Sequence, residues 1–179
     1  MIPRTVLIAV EPFGGRRMKE EGPGRSRGTL AFGEHPRFGQ PASGRLRHPL
    51  SAARAAAAIG RGVQAADPSL GVDLCPMEPV AGEGEPASPP QAPHDFDRRM
   101  RAARAVVVGG ARLDERTLLG SPTFELATRA RQAGVPTYAV TAGNGLSPFD
   151  ARILDLQVIL QARDARALRR AGEKLAALM

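Results

Sequence analysis

Hydrophobic positions in this chain follow two rhythms: short unbroken runs, and longer stretches with a helical period. Residues 4–10, RTVLIAV, form a continuous apolar run. That pattern predicts a strand buried on both faces, as in parallel sheets. The stretch 50–68, LSAARAAAAIGRGVQAADP, predicts a helix. Ser51 is its N-cap, its alanines with Ile59 and Val63 form the apolar face, and Pro68 lies beyond its end. Gly60 and Gly62 lower its propensity, but small residues let a helix approach a sheet closely. GVDLCPM, 71–77, predicts a second strand, and RAVVVGG, 104–110, a third, buried one. Asp114 then caps a helix expected to run from Glu115 to Ala133, with Gly134 as its stop. VPTYAV (135–140) and ILDLQVIL (153–160) read as further strands. DARALRRAGEKLAALM closes the chain as an amphipathic helix, with Leu168, Leu175 and Leu178 near one face.

Strands alternating with helices predict an α/β fold: one three-layer Rossmann-like domain with a mostly parallel sheet of about five strands. Two stretches break the rhythm. In residues 15–49, eleven of 35 positions are Gly or Pro and no period appears, so a long flexible insertion is expected. Residues 78–94, EPVAGEGEPASPPQAPH, read as a linker without a core of its own.

Composition refines this picture. A length of 179 residues suits a single domain with a real core. With six Phe, one Tyr and no Trp, that core must be aliphatic. No apolar run approaches the roughly 20 residues of a membrane span, and the N-terminal run is too short for a secretory signal. A single cysteine, Cys75, excludes a disulfide framework and a cysteine-based zinc site. These features suggest a cytoplasmic protein. The net charge of +7 raises the question of nucleic acid. Five of those charges fall in residues 15–49, arginine dominates lysine throughout, and only Phe32 and Phe38 are available there for stacking. Such a pattern argues against nucleic-acid binding as the main function.

In parallel sheets, ligands bind outside the carboxyl ends of the strands. Glu11–Gly15, Met77–Glu85, Gly109–Thr117 and Thr141–Gly145 are expected at that edge. All four loops carry glycine, which lets backbone approach a ligand closely, and helix N-termini there aim N–H groups at anions.

The motifs in these loops, in this order, resemble the type-1 glycerate kinase family. AVEPFGG (9–15), with LSAARAAAAIGRGVQAADPSLGVDLCPM (50–77), is similar to that family's opening strand, APDSFKG stretch and helix. AGEGEP (81–86) resembles its ADGGEG loop, and VGGARLDERTLLGSPTFELATRARQAGVPTYAV (108–140) its GEGRLD motif and following helix. The resemblance implies ATP- and Mg²⁺-dependent phosphorylation of D-glycerate to phosphoglycerate. The family has two α/β domains, the second inserted into the first. Only about 20 residues separate the two halves here, so the inserted domain is expected to be missing and 78–94 to replace it. Two copies could then pair across the face left bare.

Carried over position by position, the resemblance makes Asp114, Glu11 and Arg112 the catalytic candidates, with Asp114 also the metal ligand. Gly82, Glu83, Gly84, Gly109, Gly110 and Thr117 become the cofactor-binding set. Several charges of the pattern are gone. Gly14 stands for a lysine, Pro79 or Val80 for an aspartate, Gly110 for a glutamate and Ser121 for a second lysine. Each retained residue also has a plain structural role open to it: Asp114 as a helix cap, Arg112 as a solvated loop arginine, Glu83 as a linker residue, Gly143-Asn144-Gly145 as a turn. His35, His48 and His94 lack metal-ligand spacing, and Cys75 suits a small buried apolar position. Two functions therefore stand open: a weak or lost glycerate kinase, and a non-catalytic module that binds a nucleotide, an organic acid or another protein. Loss of a cleft wall favours the second, because catalysis by positioning needs both walls.

Overall fold

A computed structural model of the chain describes residues 4–13, 49–79 and 91–179. The elements follow in the order β1 (Thr5–Val10), α1 (Ala52–Ala66), β2 (Gly71–Leu74), α2 (Phe96–Arg101), β3 (Ala105–Gly110), a 3₁₀ turn (Glu115–Leu119), α3 (Pro122–Gln132), β4 (Thr137–Thr141), α4 (Pro148–Ile153), β5 (Leu156–Gln161) and α5 (Ala165–Ala176). The strands form one sheet in the order β2-β1-β3-β4-β5, and every pair is parallel. The chain is thus a Rossmann-like α/β fold, as its alternating pattern predicts. The predicted insertion lies almost wholly outside the described residues, and so do residues 80–90 of the predicted linker. Among the described residues, no helix is long and apolar enough to cross a membrane.

The central strands are buried on both faces because their side chains alternate between two cores. Val6, Ile8, Val10 and Val107 point into the core under α1 and α5. Leu7, Ala9, Val106 and Val108 point into the one that holds Phe96, Met100, Leu126 and Ala130 of α2 and α3. Ser51 caps α1 as the sequence suggests, its Oγ accepting from the Arg54 N–H. Gly60 faces the sheet, where an added Cβ would lie 2.9 Å from Val72 Cγ1. Gly62 has a different partner: an added Cβ would overlap the Arg169 carbonyl of α5. Gly172 reciprocates against the Ile59 carbonyl. The two helices meet backbone to backbone, each through its own glycine.

Several elements differ from the sequence expectation. The helix expected over 115–133 is two pieces. Gly120 takes a left-handed φ of 92°, Ser121 starts a new N-cap, and Pro122 has no N–H to continue the first helix. The strand expected over 153–160 begins at Leu156, since Ser147 and Asp150 form a capping box that starts α4 at Pro148. β2 ends at Leu74, although the Cys75 and Met77 N–H groups go on donating to Ile8 and Val10 carbonyls of β1. α2 was not legible as a helix; Phe96 and Met100, one turn apart, are what bury it. Leu168 and Leu175 of α5 are buried, but Leu178 lies past the end of the helix and is half exposed.

Candidate functional site

The strand order reverses between β1 and β3: from β1 the chain moves outward to β2, then returns to β3 and continues the other way. A crevice at such a reversal is where open α/β sheets bind ligands. Glu11 follows β1 at this point and its backbone N–H donates to the Gly109 carbonyl at 2.8 Å, so β1–β3 pairing continues past the strand. Its side chain turns toward α3, where the buried Thr123 hydroxyl donates to Glu11 Oε1 at 2.8 Å. Burial pushes the Glu11 carboxyl above its ordinary value of 4.5; the Thr123 hydroxyl and backbone N–H pull the other way, and burial wins.

Gly109 and Gly110 end β3 beside Glu11, and both are buried. A Cβ on Gly109 would overlap the Val140 carbonyl, and one on Gly110 would lie 3.2 Å from Glu11 Cβ. Their lack of side chains lets three strand ends converge. The next loop is zipped to its neighbour after β4. The Ala142 N–H donates to Gly110, Leu113 N–H to Gly143, and Gly145 N–H to Leu113. Gly143-Asn144-Gly145 therefore extends the β3–β4 pairing rather than forming an isolated turn.

Asp114 caps the 3₁₀ turn. Its Oδ1 accepts from the Arg116 N–H at 3.0 Å, while its own N–H donates to the buried Thr117 hydroxyl at 3.0 Å. Arg112 Nε pairs with Asp114 Oδ2 at 2.7 Å, with the arginine largely exposed. Ser121 links the turn to α3: its hydroxyl donates to the Thr117 carbonyl and accepts from the Phe124 N–H. On the far side of β1, Glu78 Oε1 accepts from Ala53 N–H in the first turn of α1. The N-termini of α1, the 3₁₀ turn and α3 are thus capped by the chain's own side chains.

The structure brings Glu11, Gly109 and Gly110 together, and places Asp114, Arg112 and Thr117 in the adjoining loop. Gly82, Glu83 and Gly84 lie outside the described residues, as do His35 and His48. His94 is exposed, and Cys75 is buried, with burial holding its thiol protonated. An open depression of about 500 Å³ lies nearby, lined in part by His94, Gly120, Pro122, Glu125 and Arg129; neither Glu11 nor Asp114 lines it. Sequence reasoning missed Thr123, whose hydroxyl holds Glu11. Nothing local marks it, since its partner is 112 positions away.

The Mg²⁺ that the resemblance implies finds a poor donor set here. Both Asp114 oxygens are engaged within the chain and one Glu11 oxygen is held by Thr123. Among the described residues, no three His, Cys, Asp or Glu side chains gather as a metal site. No family model matches the chain, and no curated protein matches it.

Proposed function

We propose that this chain is a glycerate-kinase-like module that binds a small hydroxylated organic acid without transferring phosphate. One observation carries the reading: a half-buried carboxylate, Glu11, with its pKa raised by burial, held by Thr123 at the β1/β3 reversal. Perturbed carboxylates at such a position mark functional sites. Glu11 offers an acceptor to a ligand hydroxyl, and the exposed Arg112 guanidinium, two residues past Gly110, offers a cation to a ligand carboxylate. The capped helix ends and the committed Asp114 oxygens favour binding over phosphoryl transfer, which depends on free cations, metal and N–H groups at the phosphate.

Calorimetry with D-glycerate and with Mg-ATP, beside a coupled kinase assay, tests this. Saturable heat with glycerate, at least tenfold weaker affinity in Glu11→Ala, and no turnover are expected. Absence of glycerate binding by folded protein overturns the reading. Turnover would restore phosphoryl transfer, for which the raised Glu11 carboxyl, placed to accept a hydroxyl proton, is the specific support.

A further inference from the structure

Glu11 and Arg112, the two groups offered to the ligand, lie on different segments, yet the chain's own hydrogen bonds join them. Arg112 Nε pairs with Asp114 Oδ2. The Asp114 N–H donates to the Thr117 hydroxyl, and the Thr117 carbonyl accepts from the Ser121 hydroxyl at 3.0 Å. Ser121 starts α3, its Oγ accepting from the Phe124 N–H. Between Ser121 and Phe124, in the first turn of α3, stands Thr123, and its hydroxyl donates to Glu11 Oε1. The path thus runs from the Arg112 loop through the 3₁₀ turn and α3 to the end of β1.

Thr123 is the member of this path that reaches the carboxylate. It is only 4% exposed, so its hydroxyl must find a partner inside the protein, and that partner is Glu11. A β-branched side chain on a helix is stiff about χ1, so the direction of the hydroxyl is set by the backbone of α3. Glutamate is a long side chain with several rotamers of its own. On its other side, a Cβ added to Gly110 would lie 3.2 Å from Glu11 Cβ and 3.8 Å from its carboxyl carbon, so the carboxylate lies along the end of β3. A flexible acid is held between a stiff donor and a strand end.

We propose that Thr123 is the positioning residue of this site, its hydroxyl fixing the Glu11 carboxylate for the ligand from a helix that Ser121 and Thr117 anchor to the Arg112 loop. Thr123 acts through Glu11 and needs no contact with the ligand. The inference rests on the proposed ligand reading for what Glu11 binds; the hold on Glu11 does not. Among the described residues, no charged side chain bears on the Glu11 carboxyl: burial raises its pKa, and the Thr123 hydroxyl and N–H lower it. Loss of the hydroxyl therefore moves the titration of Glu11 to higher pH.

Carbon-13 NMR of the full chain, following the Glu11 carboxyl and Thr123 Cβ from acidic to neutral pH, tests this without a ligand. In the wild type the two signals should share one midpoint. Thr123→Val keeps the shape and removes the hydroxyl, and should move the Glu11 midpoint upward. Thr123→Ser keeps the hydroxyl and should restore it. Calorimetry with D-glycerate should show about tenfold weaker affinity in Thr123→Val, the worth of one hydrogen bond to a charged group, and recovery in Thr123→Ser. An unmoved midpoint in Thr123→Val overturns the inference, as does a D-glycerate affinity equal to that of a binding wild type. A Thr123→Ser variant that behaves like Thr123→Val would assign the residue to packing and overturns it as well. Should Thr123→Val fail to fold, the wild-type titration decides: a Thr123 Cβ signal blind to Glu11 overturns the inference. If the wild type does not bind D-glycerate, the ligand reading falls, and the titrations still judge the hold of Thr123 on Glu11.

Discussion

Glu11 is in tension with its surroundings: burial opposes its charge, while Thr123 supplies hydrogen bonds that favour it. Because its folded pKa is raised, ionisation of Glu11 opposes folding. Its favourable contribution is full below the ordinary value of 4.5 and is lost as pH rises through the raised one. Glu11→Gln keeps an acceptor for Thr123 and drops the charge. The variant should melt with wild type near pH 4 and above it at pH 7, the gap widening between; thermal melts across this range read it out. A gap that narrows with rising pH would contradict the burial argument. Glu11 was legible as a candidate because a carboxylate ends a buried strand. Its partner was not, because the hydroxyl that holds it is brought close only by the folding of α3 onto the sheet.

Among elements, the joining of α1 to α5 is the tightest contact. Gly62 and Gly172 each lie against a carbonyl of the opposite helix. Alanine is the better helix former by about 1 kcal/mol, yet overpacking costs about 1–3 kcal/mol and a rigid backbone neighbour cannot move aside. Gly62→Ala and Gly172→Ala are therefore expected to lower the urea midpoint. Gly60→Ala should do less harm, since the nearest atoms are the ends of the Val72 and Leu74 side chains. An unchanged or raised midpoint in Gly62→Ala would refute the close-packing account. The sequence marked both α1 glycines as small contacts but assigned them to the sheet alone. Caps and stops were readable: Ser51, Asp114 and Gly134 act where local pattern put them. The break at Gly120-Ser121-Pro122 was missed because apolar positions recur at helical spacing across it, and periodicity alone does not register a left-handed residue.

Across the whole molecule, α2 is pinned to the β2 edge by Arg99 and Asp73, which are 26 positions apart. The Arg99 hydrogen bonds hold the Asp73 carboxyl below its ordinary value of 3.8. Its stabilisation is present above that value and lost as pH falls through the lowered one. Arg99→Gln should cost about 1 kcal/mol at pH 7, modest because Asp73 is partly exposed. Denaturation series should show the deficit shrinking below pH 4; a constant deficit would mean that the arginine acts by packing alone.

By itself, the sequence determined the alternation of buried strands and amphipathic helices, the parallel sheet this requires, and the caps at Ser51 and Asp114. These depend on side-chain periodicity and hydrogen bonds over a few residues, which local order already encodes. Tertiary structure alone decided which strands are neighbours, that Thr123 would hold Glu11, that Gly62 would touch α5, and that Arg99 would guard the β2 edge. Such outcomes join positions far apart in the chain. They follow from how two apolar faces of one sheet are covered at once, a condition no local pattern contains.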